Sequence, residues 1–349
     1  MTAVPTVAAG AMTASVASAS PQSPLLELRA ITVTLAGEGG AGEAGAGEAG
    51  ATTILDRVSL SLGHGEVLGV VGESGAGKSM TGAAVIGLLE PPLALTGGEI
   101  LLDGQRIDTL PEREMRRVRG ARIGMIFQDP LTSLNPVMTI GHQLVETIRQ
   151  HSDRDRRAAR EYAVTLLGDV GIPSPADRLS SYPHEFSGGM RQRVVIALAL
   201  AGDPQLIIAD EPTTALDVSI QAQIIALLKD VAAKRGAGVL IITHDLGVIA
   251  EIADRVAVMY AGRVVEVAPI EDILHRPAHP YTRALMGSIP TLGQRRETLP
   301  QIPGAMPRPS ARPAGCAFHP RCAERLPRCA AERPELEAKR GGEVACWAV

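Results

Sequence analysis

Four short stretches carry residue types suited to phosphate chemistry. "GESGAGKS" (72–79) has the spacing G-x-x-x-x-G-K-[ST] of a phosphate-binding loop. Gly75 and Gly77 let the chain curl until successive N–H groups aim at phosphate oxygens. The helix expected after it adds the positive end of its dipole. Lys78 then reaches the β and γ phosphates and Ser79 holds Mg²⁺, with Gly72, Glu73, Ser74, Ala76 and Met80 completing the cradle. "LIIADE" (206–211) is an apolar strand ending in two acids. Acids at the C-terminal end of a parallel strand face the ligand crevice, which puts Asp210 behind Mg²⁺ and Glu211 on an attacking water. "FSGGMRQR" (186–193) sets Ser187, Gly188 and Gly189 in front of a helical run, as a plain Ser cap or as a second anion site. His244, in "LIITHD", follows another buried strand, as a local cap or as a catalytic group.

The elements that must position these groups are legible from periodicity. "LLELRAITVTL" (25–35) alternates like a strand, and "EVLGVV" (66–71) leads directly into the phosphate loop. "RIGMIFQD", "PQLIIADEP" and "GVLIITHD" are short continuous apolar runs, suited to parallel strands covered on both faces. "GGEILLDGQRI" (97–107) and "ADRVAVMYAGRVVEVA" (253–268) pattern as hairpins. Residues 136–203 carry helical periodicity interrupted at Pro173, Pro175 and Pro183. Two stretches have no means to pack: a small, uncharged leader at 1–24, and the Gly/Ala/Glu run at 36–51.

Lys78 and Asp210 are separated by an inserted helical block, much longer than in small phosphate-loop switches. With that spacing, the motifs together resemble the ATP-binding subunit of an ABC transporter. "GESGAGKS" is similar to the Walker A loop, Gln128 to the Q-loop and "FSGGMRQR" to the signature sequence. "LIIADEP" is similar to Walker B, "ALD" (215–217) to the D-loop and "THD" to the switch histidine. The resemblance implies an α/β fold: a P-loop NTPase (RecA-like) core with an antiparallel β subdomain, an inserted helical subdomain and a small Cys-containing C-terminal extension. It further implies that each ATP is closed between the Walker A loop of one subunit and Ser187, Gly188 and Gly189 of another. Glu211, His244 and Gln128 are then catalytic, Ser79, Gln128 and Asp210 serve Mg²⁺, and Asp217 lies near the nucleotide. Three departures stand out. Phe186 and Met190 replace the commoner Leu and Gln, Met80 replaces a Thr, and Leu35 occupies the place where an aromatic usually stacks on adenine.

Past residue 268 the texture turns Pro- and Arg-rich. Two features there, His279-Pro280-Tyr281 and "GCAFHPRCAERLPRCAAERP" (315–334), and one far upstream, "QDPLTSLNPVMTIG" (128–141), resemble oligopeptide and dipeptide importer ATPases. The division expected is 25–268 for the ATPase domain, with its helical subdomain at about 130–203, and 269–349 for the extension. Cys316, Cys322, Cys329 and Cys346 are spaced C-x5-C-x6-C-x16-C, without the close pairs of zinc ribbons. They could hold a [4Fe–4S] cluster, as the resemblance implies for some members, a zinc ion, or nothing.

The resemblance implies as partners a second, non-identical ATPase subunit, two membrane permeases and an extracytoplasmic peptide-binding protein. An importer of another solute, such as nickel, would share all these motifs. A net charge of −4 over 349 residues gives no general attraction to nucleic acid, and the chain carries one cassette without sustained heptads. That disfavours an ABC ATPase acting on DNA or ribosomes. No apolar run reaches membrane-span length and no basic secretion start is present, so a place at the cytoplasmic face of the membrane, held by permeases, is expected.

Overall fold

The computed structural model describes residues 23–36, 51–214, 216–288, 301–339 and 341–349. Most of the leader, most of the Gly/Ala/Glu run and Ala215 of the D-loop lie outside the described residues.

The chain begins with two strands of an antiparallel sheet, β1 (Leu26–Leu35) and β2 (Thr52–Leu62). It then enters the central sheet with β3 (Val67–Val71) and passes through the phosphate loop into α1 (Lys78–Val85). β4 (Leu93–Leu102) and β5 (Gln105–Arg106) return to the first sheet, whose order is β2-β1-β4-β5. After α2 (Glu112–Val118) and β6 (Ile123–Ile126) comes the helical block: α3 (Pro130–Ser133), α4 (Ile140–His151), α5 (Arg156–Asp169), α6 (Pro175–Arg178) and α7 (Gly188–Ala199). β7 (Leu206–Asp210), α8 (Val218–Arg235), β8 (Gly238–Ile242), α9 (Leu246–Ile252), β9 (Arg255–Tyr260) and β10 (Arg263–Pro269) complete the core. α10 (Ile270–His275), α11 (Pro280–Gly287), β11 (Glu337–Lys339) and β12 (Gly342–Val344) belong to the tail.

Every residue of β3, β7 and β8 is buried, which is why these strands are unbroken apolar runs. They pair in parallel, with β6 beyond β7 and β9 beyond β3. β10 turns back antiparallel, and β12 and β11 extend the same sheet to eight strands, in the order β11-β12-β10-β9-β3-β8-β7-β6. The tail thus continues the central sheet across residue 269. All the switching groups sit beyond the C-terminal ends of β3, β7 and β8, the edge where an open α/β sheet binds ligands.

The helical block starts its helices with side-chain caps. Thr139 Oγ1 accepts from His142 N, and Asp155 Oδ1 accepts from Ala158 N at 2.8 Å. Pro175 and Pro183 each open a short helical turn, where proline's missing N–H costs nothing. α8 stops at Gly236, left-handed at φ 63°, with Lys234 and Arg235 in its last turn. Among the described residues no helix is long and apolar enough to cross a membrane.

Candidate nucleotide site

The phosphate loop is built by close packing. Gly77 has φ 102°, and a Cβ there would stand 2.6 Å from Leu55 Cδ2, so both the turn and the approach require glycine. Lys78 is 6 % exposed, and its Nζ donates to the carbonyls of Gly72 at 2.9 Å and Glu73 at 3.2 Å. Burial lowers its pKa, opposed by the charges of Glu211 and Asp210. Ser79 Oγ donates to Asp210 Oδ1 at 2.9 Å. Burial raises the Asp210 pKa, the Ser79 hydrogen bond works against it, and the neighbouring Glu211 charge adds to the rise. A hard cation between Ser79 and Asp210 would relieve that burial, and their oxygens suit Mg²⁺.

Glu211 is the hub. Its Oε2 accepts from Gln128 Nε2 at 3.0 Å and from Thr214 Oγ1 at 2.8 Å, while Oε1 lies 3.0 Å from His244 Nδ1. Burial alone would raise its pKa, but the His244 and Thr214 hydrogen bonds outweigh it and hold the carboxyl below the ordinary Glu range. The group is therefore a carboxylate at neutral pH, able to accept a proton. Its backbone is left-handed at φ 47°, a conformation costing a side-chain-bearing residue about 1–2 kcal/mol. A hydrogen bond from Glu211 N to Ile242 O, 2.8 Å, ties that strained residue to β8. Gln128 meets Glu211 here, whereas Ser79 and Asp210 form their own pair.

The second anion-site candidate stands apart. Ser187 is exposed and caps α7, its Oγ accepting from Met190 N at 3.4 Å. A Cβ on Gly189 would lie 2.8 Å from Ile220 Cγ2, and one on Gly188 would touch Leu216 at 3.7 Å, so the start of α8 packs on these glycines. Asp217 is exposed just before α8 and makes no side-chain cap. Phe186 is buried under the turn. Leu35, at the end of β1, is half-buried and pairs with Thr52 and Leu93.

Residues with no motif of their own also reach the site. Thr214 could not be told from its neighbours in "DEPTTALD". From the tail come Tyr281, Arg321 and Met306, the last 3.2 Å from where a Gly75 Cβ would stand. His-Pro-Tyr was visible as a motif, but nothing distinguishes Arg321 among the tail's arginines.

All four cysteines line one small cavity, together with His279 and His319. Their thiols are unpaired. Burial pushes the Cys316 thiol up to about 11, and Cys322 and Cys346 are raised for the same first reason. Among the described residues no three His, Cys, Asp or Glu side chains are gathered closely enough to hold a single metal ion. The zinc alternative therefore finds no ready-made cage here.

Comparison with known proteins gives concordant results. The "ABC transporter" family pattern matches residues 55–214, and the "Oligopeptide/dipeptide transporter, C-terminal region" pattern matches 265–329. The dipeptide transport ATP-binding protein DppD of Escherichia coli is 48 % identical over 282 residues, 81 % of this chain and 86 % of the relative. The oligopeptide transport ATP-binding protein OppD of Bacillus subtilis is 54 % identical over 263 residues, 75 % of this chain and 74 % of the relative. Among solved structures, the dimeric ATP-binding cassette MJ0796 in a post-hydrolysis state with ADP and Pi superimposes with a TM-score of 0.59. It is 28 % identical, covering 70 % of this chain and 98 % of its own. The phosphate loop, the Glu211 hub and the tail docked beside them are thus parts of one architecture, and the chain belongs to the ABC-transporter ATP-binding protein family, in the group that carries the oligopeptide/dipeptide transporter C-terminal region.

Proposed function

We propose that this chain is the ATP-hydrolysing subunit of a peptide importer, and that ATP closes and reopens a dimer of cassettes. The observation that carries the proposal is the Glu211 hub, a carboxylate kept ionised by His244 and Thr214 and joined to Gln128 beside Lys78 and Asp210. In this reading the loop amides from Gly72 to Met80 cradle the phosphates, and Lys78 leaves its carbonyl partners to meet them. Glu211 takes a proton from the attacking water, with His244 and Gln128 orienting that water and the γ-phosphate. Ser79, Asp210 and Gln128 would hold Mg²⁺, which neutralises developing charge when bound. Ser187, Gly188 and Gly189 meet the γ-phosphate bound to another cassette, with Asp217 facing the same junction.

The partner cassette is a related, non-identical chain, and both are held on the cytoplasmic face of the membrane by two permeases fed by an extracytoplasmic peptide-binding protein. A groove lined by Leu88, Met125, Phe127, Val195 and Leu198, with exposed Leu131 and Val137 nearby, supplies an apolar seat for a permease helix. Residues 25–268 act as the ATPase domain and 269–349 as its docked extension. In the extension, the four cysteines that border one small cavity are the proposed ligands of a [4Fe–4S] cluster. Iron and acid-labile sulfide in anaerobically purified protein would support that reading, and their absence would remove it.

Solute choice resides in the permeases and binding protein, so a nickel importer shares the same ATPase. The deciding experiment is ATP hydrolysis by the reconstituted complex, with and without binding protein and peptides, in wild type and Glu211→Gln. Peptide-stimulated turnover that vanishes in the variant supports both the importer reading and the role of Glu211. Turnover indifferent to peptide but raised by a metal chelate transfers the assignment to another solute.

A further inference from the structure

The tail hydrogen-bonds the phosphate loop at Glu73. The Glu73 backbone N–H donates to Tyr281 Oη at 3.0 Å. Its carboxylate takes Arg321 Nη1 at 3.1 Å on both oxygens. Arg321 is 7 % exposed, so this ion pair is shielded on the arginine side. Its other N–H groups go to the carbonyls of Pro303 at 2.8 Å, Ile302 at 3.3 Å and Gly304 at 3.4 Å. A single guanidinium therefore joins the loop to a tail segment that ends two residues before Met306, the side chain that approaches Gly75.

Tyr281 is placed with equal care. His279 Nδ1 accepts from Tyr281 N at 3.0 Å and so caps α11, with Pro280 at the first helical position. Complete burial pushes the His279 pKa down to about 3, which leaves that nitrogen free to accept. The Glu266 carboxylate accepts from Ala278 N and His279 N, at 2.7 and 2.9 Å, and fixes where the helix begins. The Tyr281 ring packs on Tyr260 and Phe318, with centroids 4.7 and 5.3 Å away. The hydroxyl is left no direction but toward Glu73.

A second attachment lies at the far end of the loop. Ala76 O accepts from Gly262 N at 2.8 Å, and Arg312 from the tail reaches Thr53 O and Ile54 O, each at 3.2 Å, beside that glycine. Asp56 draws Arg263, Arg312 and Arg333 to one carboxylate.

We propose that Tyr281 and Arg321 are positioning residues of the nucleotide site. By holding the amide and carboxylate of Glu73 they set the direction of the loop N–H groups that take phosphate, so that nucleotide affinity depends on the docked tail. The inference rests on the reading of Gly72–Ser79 as the ATP loop. It is tested on the full chain by titrating a fluorescent ATP analogue with Mg²⁺ and by steady-state hydrolysis. Tyr281→Phe keeps the packing and loses only the hydroxyl; it should weaken nucleotide binding about 3- to 10-fold, the worth of one neutral hydrogen bond. Arg321→Met should weaken it roughly 10-fold or more, with KM rising more than kcat falls. In the double variant Glu73→Gln with Arg321→Met the losses should overlap instead of adding, because both remove the same contact.

Equal affinities in wild type and Tyr281→Phe, or additive losses for Glu73 and Arg321, would overturn the proposal. Wild-type protein that binds no nucleotide would instead overturn the ATP reading beneath it, so the two failures are distinguishable.

Discussion

The two half-sites proposed for nucleotide on this chain differ in how complete they are. The phosphate loop is satisfied within the chain: Lys78 rests on two carbonyls, Ser79 on Asp210, and Glu73 on Tyr281 and Arg321. At the Ser187–Gly189 turn, Ser187 and Gly188 are exposed and the turn makes one local cap, to Met190 N. One half-site is therefore organised by its own fold, whereas the other is organised only as a surface.

The comparison breaks most visibly at Glu211. Glu211→Gln should lower kcat by about 10²- to 10⁴-fold, the usual worth of a general base, while nucleotide still binds the intact loop. Single-turnover hydrolysis beside equilibrium binding measures both. Next in size, Ser187→Arg should cost roughly 10²-fold in turnover by blocking the exposed turn, without weakening ATP binding to the isolated chain. Loss of binding in that variant would mean that the two half-sites are not separate. The smallest effect is a shift in pH profile. Because hydrogen bonds hold Glu211 below the ordinary Glu range, wild-type turnover should keep its base ionised well into acid. His244→Ala removes the strongest of the lowering contacts, so the Glu211 pKa rises and the acid limb of kcat moves to higher pH; Thr214→Val should shift it the same way by less. A limb left in place in both variants would show that Glu211 does not set it.

Much of this was legible because chemistry leaves local marks. β3, β7 and β8 announce themselves as continuous apolar runs, since both faces are covered, and each ends at a residue of the site. Gly77 is required by its left-handed backbone at φ 102°, so a glycine at that spacing is informative. The tail resisted for the opposite reason. Its contacts to Glu73 and Asp56 join residues about 250 positions apart, and one arginine of a Pro/Arg-rich stretch looks like another until it is folded. β11 and β12, three residues each, are too short to show alternation. The tail therefore reads from sequence as an appendage, while its structure continues the central sheet.

Glu266 gives that continuity a further meaning. The carboxylate is 2 % exposed on β10, within the expected ATPase domain, yet both of its N–H partners, Ala278 and His279, belong to the tail. A chain ending at residue 268 would lose the N–H groups that satisfy this acid together with the strand that covers it. It would also uncover β10 as a Val-rich edge now paired with β12, an invitation to self-association.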